Sequence, residues 1–266
     1  MWSWDPSLYA GSAAYYSKGR VPYPPELADA LATELGLDGS GRLLDVGCGP
    51  GSLTLLLAGF FAEAVGVDAD QGMIDEAIRL SGERANTRWV HIRAEDLPAS
   101  LGVFRVVTFA QSFHWMDRAR VAATVRGMLE AGGACVHVHA VTHEGVEGAD
   151  SPPNKAMAEL VRKYLGPVRR AGKGHLPQGT VGGESEIYRA AGFSGPQRIE
   201  VPGRVVARTT DEVVAKVYSL SSSTPHLFGD KRADFEAELR QLLHEASPNG
   251  TFSEQMLETA LDIWRP

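Results

Sequence analysis

The chain has 266 residues, a formal net charge of −7 and 44% hydrophobic residues. That length suits one large α/β domain with insertions, or two small domains, with enough apolar residues for a core. The acidic balance disfavours a phosphate-backbone partner, and no apolar run is long enough to span a membrane.

Two cysteines, Cys48 and Cys135, make neither a zinc framework nor a disulfide scaffold. Residues 1–6 lack a basic start and an apolar run, so the expected location is cytoplasmic. Arg169-Arg170 with Lys173 is a local basic run, read as a solvated loop.

Residues 1–24 are rich in aromatics, Gly and Pro, with Tyr9, Tyr15, Tyr16 and Tyr23 among them. Pro24-Pro25 opens a helix that carries Leu27, Ala28, Leu31 and Leu35 at helical spacing and stops at Gly36. Residues 42–47 are a short apolar run entering glycines, which predicts a buried strand. A helix over 52–61 follows, then a strand over 63–68 ending on Asp68. The pattern continues with a helix at 72–80, strands at 89–92 and 104–110, a helix at 118–129 and a strand at 134–140. Such alternation predicts parallel strands joined by right-handed crossovers, a doubly wound α/β fold.

Residues 142–182 break the rhythm, with one helical piece at 154–164. A helix at 184–191 ends at Gly192, a suitable C-terminal cap. Residues 198–207 read as a sixth strand, 210–244 as irregular and helical, and 256–264 as a last strand from their period of two. A single domain is expected: an N-terminal arm and helix (1–40), core segments (41–141 and 183–209), two insertions (142–182 and 210–244) and a terminal element (245–266).

Ligands of open parallel sheets bind beyond the carboxyl ends of the strands. The first strand ends there in Gly47-Cys48-Gly49-Pro50-Gly51, whose glycines let backbone approach a ligand closely. The glycine spacing is tighter than in dinucleotide folds, which disfavours a nicotinamide oxidoreductase. Asp45, just ahead of the loop, suits an amino group or a sulfonium better than a pyrophosphate. Asp68 ends the second strand 17 residues past Gly51. A carboxylate there can accept both hydrogen bonds of a ribose diol.

Leu43-Leu44-Asp45-Val46-Gly47-Cys48-Gly49-Pro50-Gly51 resembles the first motif of class I S-adenosylmethionine-dependent methyltransferases. Tyr16, Arg20, Pro22, Tyr23 and Pro24 resemble the N-terminal segment that lies over the cofactor in one bacterial branch. Ala94-Glu95-Asp96-Leu97-Pro98 resembles the adenine-side motif, and Gln111-Ser112-Phe113-His114-Trp115 the segment after the fourth strand. The branch holds small-molecule, type 11-like enzymes, including relatives of trans-aconitate methyltransferase. The resemblance implies a seven-stranded Rossmann-like sheet, mostly parallel with the last strand antiparallel, plus helical lid insertions. It implies S-adenosyl-L-methionine as cofactor and no metal. The cofactor residues it implies are Tyr16, Arg20, Asp45, Gly47, Gly49, Gly51, Asp68, Ala69, Met73, Ala94, Glu95, Asp96, Gln111 and Phe113. The family often has an acidic residue where Arg93 stands here, so the adenine amino contact is moved to Glu95 or Asp96.

Methyl transfer from a sulfonium depends chiefly on placing a lone pair close to the methyl carbon. His114 is the candidate general base, with ordering of its loop as the other reading. Tyr16 is placed over the sulfonium, and Tyr9, Tyr15, His114 and Trp115 against the acceptor. Packing alone also accounts for the tyrosines and Trp115. His137 and His139 share a strand face with Cys135 and read as structural, not as metal ligands. The run from Ser219 to His226 lacks the glycines of a hydrolase elbow and reads as a turn and cap.

The insertions are expected to form a lid. Their Arg162, Lys163, Tyr164, His175, Tyr218, His226 and Phe228 suggest an acceptor with polar and apolar parts. The expected function is methylation of O or N on a small metabolite, secondary metabolites included. A non-catalytic S-adenosylmethionine-binding regulator and a methyltransferase acting on tRNA or protein stay open. The expected partner is a small-molecule acceptor, with no nucleic acid and no membrane, for a monomer or homodimer.

Overall fold

The first helices are set by local chemistry. Helix α1 (Ala13–Gly19) is short and starts without a side-chain cap. Helix α2 (Pro25–Leu35) has proline in its first turn, where the missing N–H is no loss, and ends at Gly36 in left-handed geometry (φ 58°, ψ 46°). The computed structural model describes residues 5–168, 170–171, 174–175 and 182–266, without the side chains of 170–171 and 174–175. Arg169, Lys173 and the side chains of Arg170 and His175 therefore lie outside the described residues.

Strand β1 (Arg42–Val46) leads through the glycine loop into α3 (Ser52–Leu57). Then come β2 (Glu63–Asp68), α4 (Gln71–Ser81), β3 (Thr87–His91), β4 (Phe104–Ala110), α5 (Arg118–Gly127) and β5 (Leu129–His139). Beyond them are α6 (Asn154–Leu165), a two-residue pair β6 (Arg170–Ala171) and β7 (Gly174–His175), α7 (Glu184–Ala190) and β8 (Ser194–Val201). The chain continues as β9 (Val205–Thr209), α8 (Thr210–Tyr218), α9 (Arg232–Ala246), β10 (Thr251–Gln255) and β11 (Thr259–Arg265).

The main sheet has seven strands in the order β3-β2-β1-β4-β5-β11-β8. Strand β1 pairs parallel with both β2 and β4, so the strand order reverses beside it. That reversal is the switch point at which an open sheet offers a crevice. Strand β11 runs antiparallel to β5 and β8, as expected for the last strand. Asp262 pins it to both neighbours: it accepts from Arg198 at 2.7 and 2.8 Å and lies 2.9 Å from His139 Nε2.

Both faces of the sheet are covered. Leu44, Val46, Phe109, Val121 and Trp264 belong to one buried cluster, and Leu27, Leu31, Leu57, Val136 and Leu261 to the other. A third cluster joins the two insertions. Met157 of α6, Val213 and Tyr218 of α8, and Phe235 and Leu239 of α9 pack together with Phe228. Tyr218 and Phe228 thus fill a helical core instead of facing an acceptor, because their neighbours bury them on every side.

One expected element is corrected. Residues 198–207 are not one strand: β8 ends at Val201, and β9 pairs with β10 in a separate two-stranded sheet. The break falls at Pro202-Gly203, where proline cannot donate to a ladder. A Cβ on Gly203 would lie 2.0 Å from the Met256 carbonyl oxygen, so the chain turns there against the segment leading into β11.

Candidate cofactor and acceptor site

The glycine loop leaves β1 at the switch point. Gly47 and Gly49 both take positive φ (69° and 54°), which L side chains resist. A Cβ on Gly47 would lie 2.5 Å from Ser112 Cβ, so the end of β4 packs directly on the loop. Ser112 Oγ donates to the Val46 carbonyl at 2.6 Å, tying the ends of β4 and β1 together. A Cβ on Gly49 would meet nothing within 4 Å, so its outer face is open space.

Asp68 holds this loop from the end of β2. Its carboxylate accepts from the Gly49 N–H at 2.8 Å and from the Asp70 N–H at 2.8 Å. Burial raises its carboxyl to about 6, against the lowering effect of those two bonds. Asp70 then caps α4 by accepting from the Met73 N–H at 3.0 Å, which aims the first turn of α4 at the loop.

A cavity of about 620 Å³ opens above these groups. Gly47, Gly49, Asp68, Ala69 and Met73 form its floor, Ala94 and Glu95 one side, and Tyr9, Tyr16 and Trp115 another. The aromatic wall is internally braced. Tyr9 meets Tyr16 edge-on at 6.3 Å between ring centroids and Trp115 at 5.8 Å. Burial pushes the Tyr9 phenol well above its ordinary range, so it stays protonated.

A neighbouring cavity of about 410 Å³ shares Tyr16, Gly47 and Gly49 and adds Arg20, Tyr23 and Asp45. Arg20 lies over the Tyr16 ring, 4.7 Å from its centroid, and donates to Ser219 Oγ at 2.9 Å and to the Ser219 carbonyl at 3.1 Å. Asp45 is buried and accepts from the hydroxyls of Thr54 (2.6 Å) and Thr108 (2.8 Å). Its carboxylate is therefore already engaged inside the fold.

Several expected site residues lie away from the main cavity. Phe113 is buried beneath the sheet, stacked on Tyr188 with centroids 5.1 Å apart. Tyr15 packs on Tyr218 at 5.1 Å and bonds to Arg232, within the helical cluster. Gly51 instead lets Trp89 approach: a Cβ there would lie 2.4 Å from the indole. Asp96 is exposed. Gln111, at φ 57°, donates its side-chain amide to the Ala140 carbonyl. Glu95 lines the cavity, yet its carboxylate accepts from the Asp117 N–H at 2.8 Å and faces Arg93 at 3.4 Å.

His114 is not among the cavity's lining residues; its ring lies against Trp115 at 5.0 Å. Burial, with Arg118 nearby, holds its pKa down to about 4, so the imidazole is neutral at neutral pH. The cavity also uses Ile92, Arg93, Ser112 and Met116, which sequence reasoning did not select. Ser112 lies inside a recognised motif and the other three adjoin one by one or two positions, and only strand ends and loop direction decide that they face inward.

The histidine pair on β5 is tied to polar side chains. His137 Nδ1 is 3.1 Å from the Tyr188 hydroxyl, and His139 bonds Asp262 as above. Of the lid residues, Arg162 lines a separate cavity, Lys163 and Tyr164 bond Glu238, and His226 anchors to the Ala10 carbonyl at 3.1 Å. No helix among the described residues is long and apolar enough to cross a membrane.

Residues 43–133 match the methyltransferase domain family. The span runs from β1 into β5 and contains the loop, Asp68 and the adenine-side motif. This segment is a class I S-adenosylmethionine-dependent methyltransferase domain. The chain is 35% identical over 130 residues to an uncharacterized methyltransferase of Mycobacterium tuberculosis, covering 48% of this chain and 51% of that protein. It is 36% identical over 116 residues to a ubiquinone biosynthesis O-methyltransferase of Psychrobacter cryohalolentis, covering 41% of this chain and 44% of that one. The chain thus spans about half the length of the curated relatives it matches.

Beyond the methyltransferase domain, the whole fold is similar to solved structures. The YcgJ protein of Bacillus subtilis superposes with a TM-score of 0.53 at 18% identity, covering 90% of this chain and 98% of that one. The (4+2)-cyclase SpnF superposes with a TM-score of 0.50 at 22% identity, covering 93% and 84%. At such identities the likeness concerns the fold alone.

Proposed function

We propose that this chain moves a methyl group from S-adenosylmethionine to an oxygen or nitrogen of a small-molecule acceptor. The observation that carries the reading is one cavity at the switch point uniting Gly47, Gly49, Asp68 and Ala94. The residues fit the cofactor. The cavity sits at the carboxyl ends of β1 and β2, where such a ligand binds, and Gly49 presents open backbone to it. Asp68 has acceptor capacity left beyond its two backbone bonds, as a ribose diol requires.

When bound, S-adenosylmethionine supplies a sulfonium methyl; the acceptor lone pair takes the carbon, the C–S electrons stay on sulfur, and the acceptor's proton leaves. The protein's own part is placement. Asp68 holds the ribose, the Ala94 segment bounds the adenine, and Tyr16 with Arg20 bounds the methionine end. Tyr9, Tyr16 and Trp115 wall the cavity and keep water from the reacting atoms. The insertions, with α6 and α8, serve as the lid.

His114, packed against the cavity-lining Trp115, is the candidate to take the acceptor's proton. With its pKa near 4 it is too weak a base to ionise an alkyl alcohol, which favours an acidic oxygen or a neutral amine as nucleophile. The ubiquinone biosynthesis O-methyltransferase among the relatives is named for methylation at oxygen, which supports the same acceptor class.

Calorimetry with S-adenosylmethionine and with NAD tests the reading. Binding of the former and silence with the latter are expected; no binding of S-adenosylmethionine overturns it.

A further inference from the structure

A larger chamber, about 970 Å³, lies between α6 and α8, beside the donor cavity. One side of it is apolar, with Met157, Val161, Leu165, Val217 and Leu220, and the charged Glu144 and Arg162 also line it. A further cation is set deep in this wall. Lys216 is 3% exposed, and its ammonium donates to Asn154 Oδ1 at 2.5 Å. An amide oxygen uses one of its three N–H donors and neutralises no charge.

The nearest carboxylate belongs mostly to another partner. Glu254 is fully buried, 3.9 Å from Lys216 and 3.4 Å from Arg208, and it also accepts from the Gly145 N–H at 3.2 Å. Arg208 is anchored as well, donating to the Gly19 carbonyl at 2.6 Å. The charges acting on Lys216 are Glu254 and Glu144 on one side and Arg208 and Arg20 on the other. Within ion-pair distance, Lys216 and Arg208 share the single carboxylate of Glu254, two buried cations on one anion. Burial of the Lys216 ammonium lowers its pKa to about 8.

One turn ties the walls of the chamber and of the donor cavity together. Ser222 and Ser223 line it, Ser219 holds Arg20, and Ser221 bonds Tyr9. His143, on its wall, lies 3.4 Å from Arg20.

We propose that this chamber binds the acceptor, and that the acceptor is an amphipathic monocarboxylate whose carboxylate sits on Lys216 and whose apolar body lies along α6 and α8. Two buried cations that share one carboxylate can take a monoanion, and a cation only partly paired at this depth is costly until an anion arrives. The placement as acceptor rests on the methyltransferase reading; the binding of the carboxylate does not.

The experiment is calorimetry on the full chain with decanoate and with 1-decanol, in the absence of S-adenosylmethionine. Decanoate is expected to bind at least tenfold tighter than decanol, and K216M is expected to erase that preference while keeping decanol binding. Ala158 lines the same chamber from an exposed position, so A158F should fill it and weaken both ligands tenfold or more without disturbing a core. Equal binding of the two ligands, a preference that survives K216M, or unchanged binding in A158F overturns the proposal. If K216M does not fold, the ligand preference of the unaltered chain and the A158F result decide. S-adenosylmethionine affinity measured in parallel separates the two readings. Decanoate binding without donor binding would remove only the methyltransferase reading, and the reverse would remove only the chamber.

Discussion

Asp68 carries two tasks that pull on the same carboxylate. It fixes the glycine loop through the N–H groups of Gly49 and Asp70, and it faces the cavity in which a ribose would bind. Asp68→Ala is expected to weaken S-adenosylmethionine binding by about 1–3 kcal/mol, measured by calorimetry. Its pKa near 6 makes the same interaction pH-dependent. Ribose hydroxyls donate to the ionised form, so binding favours proton release, and affinity should fall by up to about tenfold per pH unit below 6. Binding heats compared across buffers of different ionisation enthalpy check the released proton near pH 6; Asp68→Asn should abolish it. Gly49→Ala separates ligand from fold. The new Cβ meets no atom within 4 Å, while its left-handed φ costs about 1 kcal/mol. A small drop in melting temperature with a large loss of donor affinity is expected. Asp45 shows the limit of reasoning from residue type. Its charge pointed to a cationic ligand, but the hydroxyls of Thr54 and Thr108 take its oxygens, and both partners are distant enough in sequence to escape notice.

At the scale of elements, α1 approaches α8 backbone to backbone at Gly19. A Cβ on Gly19 would stand 2.3 Å from the Lys216 backbone nitrogen and 2.4 Å from the Ala215 carbonyl carbon. Neither is a flexible side chain, so the helices must separate. Gly19→Ala should destabilise the protein by about 1–3 kcal/mol in urea titration and displace Tyr16 and Arg20 from the cavity. Donor affinity should fall with it. Helix α1 itself was not legible, because seven residues with aromatics and no cap have little helix signal of their own. By contrast, α2 and α4 carry strong local marks: a proline start and glycine stop in one, an aspartate cap in the other. The pairing of β9 with β10 was missed for a different reason. Residues 210–250 lie between those strands, and nothing local distinguishes a continuing strand from one that changes sheet after Pro202-Gly203.

Across the whole molecule, two buried histidines make stability depend on acid. Burial holds His137 at about 3 and His114 at about 4, against about 6.5 in an unfolded chain. The unfolded chain therefore binds protons that the native one does not, and stability rises with pH in this range. The contribution is complete above 6.5 and declines toward pH 4, by up to about 1.4 kcal/mol per pH unit for each histidine. Melting temperature should fall over that interval, and His137→Gln, which can still meet the Tyr188 hydroxyl, should flatten the slope. An unchanged slope would mean that other groups govern acid unfolding.

The cofactor half was legible because its signals are short and local. A strand running into glycines, then a strand ending on Asp68, places both groups at one sheet edge whatever else the chain does. The parallel strands follow from that pattern, and the antiparallel last strand from the family resemblance that the pattern carries. The tertiary structure alone decided which side chains reach the cavity. Phe113 and Ser112 are adjacent in sequence, yet one is buried beneath the sheet and the other lines the cavity, because the left-handed turn at Gln111 sets the direction of the loop. It alone also brought Lys216, Arg208 and Glu254 together from α8, β9 and β10. The chamber beside α6 and α8 is built from such long-range meetings, and no periodicity records them.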